Sequence, residues 1–369
     1  MKNRLNYIDA FRGIAILGVI FAHTASYVDY DGYLSYTLLK SGYGVQLFFI
    51  ISAFTIFLSL DHSTKMEKRP IINFYTKRLL RIAPVYWLGI VVYTLLYGLE
   101  SRGWHVGPEL WHYPLHLLFL NSLHPETTSS VVPGGWSISC EVLFYMLCPL
   151  LFKYITSLKR AFVLCIVTII FGVMFLLLCK FYITPTFSDE YGEKALYIYF
   201  YRSIISQIGI FSLGIMMFYL VRLNWKNNFI TENSFCLLLF IVSSILLVIG
   251  FSGLARGASH YVVAFSFLLF GVLVSIRPTK ILVNGLIIFI GRVSFSAYIV
   301  HFIAIRVSAD LLGSHLNMLS LLVMTLMITI PLSYFSFKVV ECNAIKLARV
   351  IVSNRESKIK TVATASKCV

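Results

Sequence analysis

Charge is scarce in this 369-residue chain. Asp, Glu, Lys and Arg make up 13% of it, about half the share of a typical soluble domain. Acidic residues are the scarcest part, with 16 Asp and Glu against 31 Lys and Arg. A water-soluble fold of this length needs far more polar surface, so most soluble folds are excluded. No polar stretch is long enough to make a second, soluble domain. The seven cysteines, at 140, 148, 165, 179, 236, 342 and 368, form no Cys-x-x-Cys pair and join no His at metal spacing. That excludes a disulfide-stapled secreted domain and leaves buried, inert thiols as their reading. P-loops, dinucleotide fingerprints and repeats of solenoid period are also missing.

What the chain has instead is apolar bulk. Hydrophobic residues reach 58% and aromatics 15%, and the mean hydropathy is +0.82. A helix crossing a bilayer needs about 20 mostly apolar residues. Ten stretches meet that need, roughly 8–28, 43–60, 82–99, 137–156, 161–183, 203–222, 233–251, 259–276, 283–305 and 316–340. Pro114–Leu120 is apolar but too short to span, and reads as interfacial or re-entrant. The first stretch carries Arg12 and His23 and has no small-residue cleavage pattern, so it reads as a retained helix. The expected fold class is all-α, a polytopic integral membrane bundle of about ten transmembrane helices. Residues 1–345 form the membrane domain, and 346–369 form a basic cytoplasmic tail expected to lack order.

The net charge of +15 then reads as orientation, not as a nucleic-acid footprint. With the N-terminus inside, 22 Lys and Arg fall in inside connections and 7 in outside ones. Lys2, Arg4, Lys226 and Lys367 are among the inside set, and Arg102, Arg202 and Arg256 among the outside set. Arg12 and Arg292 remain, both near inner helix ends. The bias has the sign expected for N-in, C-in with an even number of spans.

Ionisable residues inside spans are costly and mark functional sites by default. Arg12 and His23 are 11 positions apart. At 100° per residue they share a helix face, about 16 Å apart along the axis. Snorkelling for Arg12 and packing for His23 are the alternatives. Glu141 lies a few residues into its span, as a catalytic carboxylate or as half of an interhelical ion pair. Trp136 and Tyr145 read as interfacial or packing aromatics, or as parts of a site. Lys77, Arg78 and Arg81 precede a span in "FYTKRLLRIAPVYW", with Pro84 expected in that span's first turn. They suit either anionic lipid headgroups or a phosphorylated ligand. His301 falls in the outer half of its span and, taken alone, reads as a packing histidine. His105, His112, His116 and His124 lie in a long outer connection and read as solvated.

At these residues the chain resembles the membrane acyltransferase-3 family, in five ordered blocks over most of its length. "IDAFRGIAILGVIFAH" resembles the opening helix, with Arg12, ten residues, then His23. "GYGVQLFFIISAFTI" resembles the second block, with Ala53 where Gly is usual. "FYTKRLLRIAPVYW" resembles the basic block before the third helix, and "IGRVSFSAYIVHF" the late helix with His301. "WSISCEVLFYMLCPLL" resembles the Trp-Ser-x-Ser-x-Glu-x-x-Phe-Tyr block at Trp136, Ser137, Ser139, Glu141, Phe144 and Tyr145. After Glu341 the chain continues Cys342-Asn343, where the family often has Lys-Pro, which weakens a role for the tail.

The resemblance implies transfer of an acyl group, usually acetyl, from acyl-CoA to a carbohydrate hydroxyl, in the stand-alone form without a fused extracytoplasmic domain. Acetyl-CoA is then a donor substrate, and no permanently bound cofactor and no metal are implied. The expected partners are acyl-CoA, a lipid-linked or surface glycan such as O-antigen or exopolysaccharide, and the bacterial inner membrane, not nucleic acid. His23 is expected as general base, with Glu141 orienting it or stabilising its charged form. Arg78 and Arg81, with Arg12, are expected on the CoA phosphates. Trp136, Ser137, Ser139, Tyr145 and His301 are expected as acceptor-side or supporting residues. An acyl-enzyme on His23, or on a nearby Ser or Cys, is the alternative path. A transporter or flippase of lipid-linked sugar, without acyl transfer, is the competing class; against it, no internal repeat is evident in the sequence.

Overall fold

The computed structural model describes residues 6–28, 33–102, 107–223 and 229–365. Lys2, Arg4, His105, Lys226, Lys367 and Cys368 lie outside the described residues, as do the side chains of Arg256, Lys358 and Lys360. The described residues are overwhelmingly helical, with no strand among them. Among the described residues, ten helical stretches are long and apolar enough to cross a membrane, matching the number expected.

The chain opens with α1 (Asn6–Tyr27), a short α2 (Tyr33–Lys40), α3 (Gly44–Met66) and α4 (Pro70–Tyr97). After α5 (His112–Leu117) come α6 (Gly135–Tyr154), α7 (Leu158–Leu178), the short α8 (Thr184–Tyr191) and α9 (Glu193–Tyr201), and α10 (Ile204–Leu220). The last part contains α11 (Phe229–Ser252), α12 (Ser259–Ile276), α13 (Gly285–Arg292), α14 (Ser294–Leu312), α15 (Met318–Ser336) and α16 (Cys342–Ala365). Side-chain caps start several of them. Ser157, Ser203 and Asn284 accept from backbone N–H groups three residues on, and Asn317 and Ser320 form a reciprocal capping box.

Burial sorts the spans into centre and periphery. In the most apolar window of the span through α3, 72% of residues are buried, against 17% for the span through α7. On α7 the side chains of Phe162, Val163, Ile166, Val167, Ile170, Phe171 and Met174 are all exposed. A band of large apolar side chains turned outward is tolerable only against lipid. The chain is a multi-pass integral membrane protein. Its spans through α1, α3 and α10 are the most buried and form the centre.

Three boundaries differ from the sequence reading. The stretch 283–305 is not one helix. It breaks at Val293 (φ −93°, ψ 4°), so the crossing is Ser294–His315. The break follows from close packing: a Cβ on Gly291 would lie 1.7 Å from Asp9 O, and one on Gly13 2.3 Å from Ile287 O. Helix α13 therefore lies backbone to backbone on α1. Second, Pro84 is not in a first turn. Helix α4 starts at Pro70, and Pro84 is inside it. Arg78 and Arg81 consequently sit on formed helix.

Third, the tail expected to lack order is helix through Ala365. Its mean polarity hides an apolar stripe, Ala344, Ala348 and Val352, spaced four apart and buried. Glu356 accepts from the backbone N–H of Lys68 (2.9 Å) and Arg69 (3.2 Å) and from Asn73 Nδ2 (2.8 Å), capping the start of α4. Arg355 donates to Asn73 Oδ1 (2.8 Å) and Thr76 Oγ1 (3.2 Å). The C-terminal helix thus clamps the helix that carries the basic cluster.

The connection after α4, which includes the interfacial or re-entrant stretch Pro114–Leu120, folds back onto the bundle. Asn121 and residues 127–135 are buried. His112 and His116, read as solvated from sequence, are buried as well. His116 bonds Tyr86 OH through Nδ1 (2.8 Å) and Thr127 O through Nε2 (2.8 Å). Burial pulls the His116 pKa down to about 3, so it stays neutral. Phe119 takes φ +60° here, a strained value for a bulky residue. Ser139 Oγ holds it, donating to Phe119 O at 2.6 Å.

Candidate functional site

A cavity lies toward each end of α1. The proximal cavity lies toward the start of α1, and the distal one toward its end. Arg12 faces the first and His23 the second. The interior stripe predicted from their spacing is present.

The proximal cavity holds about 700 Å³, including its open mouth. Four charged side chains line it: Arg12 from α1, Arg78 and Arg81 from α4, and Glu141 from α6. Three guanidiniums face one carboxylate there. Arg12 Nη1 is 3.3 Å from Asp9 Oδ1, whose other oxygen lies 3.5 Å from Arg292 Nε. Arg78 stacks on Phe74 (5.6 Å) and Tyr145 (5.7 Å), which uses the guanidinium's face and leaves its edge donors for a ligand. Glu141 accepts from Tyr145 OH (2.6 Å) and from Ser52 Oγ.

The distal cavity is larger, about 1640 Å³ with its open mouth. His23, Trp136, Arg202 and Phe302 line it, together with Thr128, Ser129 and Gly134 of the folded-back connection. The His23 ring lies 5.4 Å from His301 and 4.5 Å from Phe302. His301 is fully buried behind it, with Nδ1 3.2 Å from Ala297 O and Nε2 unpartnered. Arg202 stacks over Trp136 at 5.5 Å.

A thin wall separates the cavities. Ser137 and Tyr298 line the proximal side, Gly134 and Trp136 the distal side. Ser137 Oγ donates to Tyr298 OH (2.8 Å), and Tyr298 OH donates to Gly134 O (3.1 Å). Gly134 takes φ +75°, a left-handed value that suits glycine, and a Cβ there would meet Tyr298 OH at 3.0 Å.

The sequence-predicted residues therefore divide. Arg12, Arg78, Arg81, Glu141, Ser137 and Tyr145 gather at the proximal cavity, and His23 and Trp136 at the distal one. His301 backs His23 from the core. Glu141 lines the cavity of the arginines and not the one of His23. Ser137 and Tyr145, expected as acceptor-side or supporting residues, stand with Glu141 on the proximal side. Ser139 reaches neither cavity and bonds Ser122 Oγ (2.7 Å) and Phe119 O in the folded-back connection. Its role there is to hold the connection.

The sequence reading missed four residues. Tyr298 closes the wall. Arg202, counted only for orientation, lies on Trp136. Arg102, counted likewise, is buried at 7% exposure. Glu341, at 1% exposure, accepts from Ser296 Oγ (3.3 Å) and lies 3.9 Å from Arg81 Nη2. It ends a π-helical turn, Phe337–Glu341, a wound-in residue of the kind that re-aims side chains at functional sites.

Residues 5–337 match the acyltransferase-3 family, described as an acyltransferase domain. Among curated proteins, Nodulation protein 10 of Rhizobium leguminosarum bv. viciae is 28% identical over 177 residues, 42% of this chain and 46% of that protein. Exopolysaccharide production protein ExoZ of Rhizobium meliloti (strain 1021) is 32% identical over 106 residues, 28% of this chain and 31% of that protein. The chain thus matches less than half the length of either relative.

Proposed function

The chain belongs to the acyltransferase-3 family, and we propose that it moves an acetyl group from acetyl-CoA to a hydroxyl of a cell-surface carbohydrate such as O-antigen or exopolysaccharide. The observation that carries this reading is the pair of cavities sharing one thin wall. A polyanionic donor suits the proximal side and its three arginines. A sugar suits the distal side, with Trp136 and His23. A relative named for exopolysaccharide production supports a carbohydrate acceptor. The cation bias supports placing the proximal cavity at the cytoplasmic face of a bacterial inner membrane.

In this reading Arg12, Arg78 and Arg81 hold the CoA phosphates, and the pantetheine arm extends to the wall. His23 takes the proton of the acceptor hydroxyl as its oxygen attacks the thioester carbonyl. The carbon–sulfur bond breaks, and the CoA thiolate receives the proton from His23. The hydroxyls of Ser137 and Tyr298 stand where the carbonyl oxygen gathers charge. His301 supports the His23 ring. Glu141 acts from the proximal side, fixing Ser52 and Tyr145 and offsetting the arginines.

Incorporation of label from acetyl-CoA into glycan in membrane vesicles tests the reading, with mass spectrometry of surface glycans for the lost acetyl mass. Replacing His23 with Ala is expected to cost about 10²–10⁴-fold in rate. Replacing Arg78 and Arg81 together is expected to weaken acetyl-CoA affinity. Wild-type turnover in H23A at equal expression removes His23 from the mechanism. Absence of label from wild-type protein would leave the carrier class in place of the enzyme.

A further inference from the structure

The distal cavity carries more positive charge than a neutral sugar needs. Arg102, Arg202 and Lys194 line it, against a single carboxylate, Glu193. Arg102 is buried, and among the described residues its guanidinium donates to neutral acceptors only: Val131 O, Gly98 O (2.7 Å), Tyr113 OH (3.0 Å) and Thr94 Oγ1 (3.3 Å). Among the described residues no carboxylate lies within 4.0 Å of Arg102 or Arg202. These bonds satisfy some of the Arg102 donors but not its charge, and a buried charge without a counter-charge is costly. Arg102 Nε is itself buried with no hydrogen-bond partner. Ser129 Oγ, from the same cavity lining, is also buried and unpartnered. The Arg202 guanidinium carbon lies over the Trp136 ring, 5.5 Å from its centroid, and a cation held this way can still donate to a ligand.

A loop staple explains the Arg102 bonds to Gly98 and Val131. It does not explain a second cation over the Trp136 ring, nor the unpartnered Arg102 Nε and Ser129 Oγ buried within residues that line the cavity. We propose that the distal cavity takes an acidic saccharide, whose carboxylate or phosphate is held by Arg102 and Arg202 while Trp136 packs against a sugar ring. The inference rests on the reading that the acceptor occupies this cavity. It adds that the acceptor is chosen by charge as well as by shape.

The test measures binding without any acyl donor, using the full chain in nanodiscs. The probes are digalacturonate, its neutral twin digalactose, and inorganic diphosphate. Trp fluorescence and thermal melting report binding. Digalacturonate is expected to bind about tenfold more tightly than digalactose, a preference that shrinks with salt. Arg202→Gln is expected to erase most of that preference and Arg202→Lys to keep part of it, at unchanged melting temperature without ligand. Diphosphate binding that Arg202→Gln weakens, with the uronide preference present, supports the proposal with a lipid-linked diphosphate as the source of charge; a uronide preference with diphosphate binding untouched by Arg202→Gln supports it with a sugar acid, the diphosphate then sitting on the proximal arginines. Equal binding of digalacturonate and digalactose, or no binding of either acid, overturns it. Acyl transfer is assayed separately, so charge preference without transfer sinks the enzymatic reading alone, and transfer without charge preference sinks this one alone.

Discussion

Arg81 and Glu341 offer the sharpest test of how the proximal cavity is held together. Replacing Arg81 with Met keeps most of the stem and removes the guanidinium. Glu341 is then left 1% exposed, with Ser296 Oγ at 3.3 Å and no cation at 3.9 Å. Two unit charges at that separation attract by about 4 kcal/mol at an effective dielectric near 20, and by about 1 kcal/mol in water. The Arg81 side chain is 32% exposed, so solvent takes much of the larger figure. A net loss of about 2 kcal/mol is the expected result. The double variant R81M/E341Q removes both charges and keeps a partner for Ser296, so it should regain most of that loss. Thermal unfolding in detergent reads it out, at roughly 2–4 °C for R81M in a chain of this size. Acetyl-CoA affinity should stay low in both variants, because both lack the guanidinium. A double variant as unstable as R81M would refute the pairing.

Other outcomes follow from the same geometry. Gly291→Ala puts a Cβ 1.7 Å from Asp9 O and should cost about 3 kcal/mol or more, seen as loss of folded protein by size-exclusion chromatography. Glu356→Ala should cost about 1–2 kcal/mol at the start of α4, and hydrogen exchange over residues 67–73 should speed up accordingly. Tyr298→Phe keeps the ring and deletes the hydroxyl that joins Ser137 to Gly134, so transfer should fall about tenfold with a stability loss of about 1–2 kcal/mol. His116 is pulled down to about 3 when folded and returns to about 6.5 when its segment opens, so the open form binds the proton first. Its contribution is complete above about pH 6.5 and falls by roughly 1.4 kcal/mol per pH unit toward pH 3. Hydrogen exchange over residues 107–134 at pH 4 to 7, corrected for intrinsic rates, should show this, and pH-independent protection counts against it.

The spans and the basic cluster were legible because both follow local rules, about 20 apolar residues for a crossing and ionisable residues among them for a site. The residues that were missed fell where those rules stop. Arg202 lies one position before the stretch read as 203–222, and Glu341 one position after 316–340. The membrane-spanning stretches extend further, Glu193–Leu220 and Met318–Ser357: Arg202 caps the end of α9 at the turn before α10, and Glu341 ends a π-helical turn inside its span. Tyr298 was invisible for a different reason: a tyrosine in an apolar helix gives no polar signal until its hydroxyl finds Gly134 and Ser137 across the bundle. The misplacement of Glu141 is tertiary as well. Depth in a span does not tell which of two cavities a side chain faces. The order of the C-terminal helix was hidden because its stripe holds only three small or branched residues, and its stability comes from bonds to α4 nearly 290 positions earlier.

The wall of Gly134, Ser137 and Tyr298 has an electrical consequence. On the proposed reading, donor and acceptor fill the two cavities from opposite faces of the membrane, and part of the field of an energised membrane then falls across this partition. A unit charge crossing it does about 2.3 kcal/mol of work per 100 mV, and an uncharged acyl group does none. On that reading the partition sorts by charge what passes between the two cavities: the acyl group moves freely with respect to voltage, while the ionic parts of donor and acceptor stay where they bind.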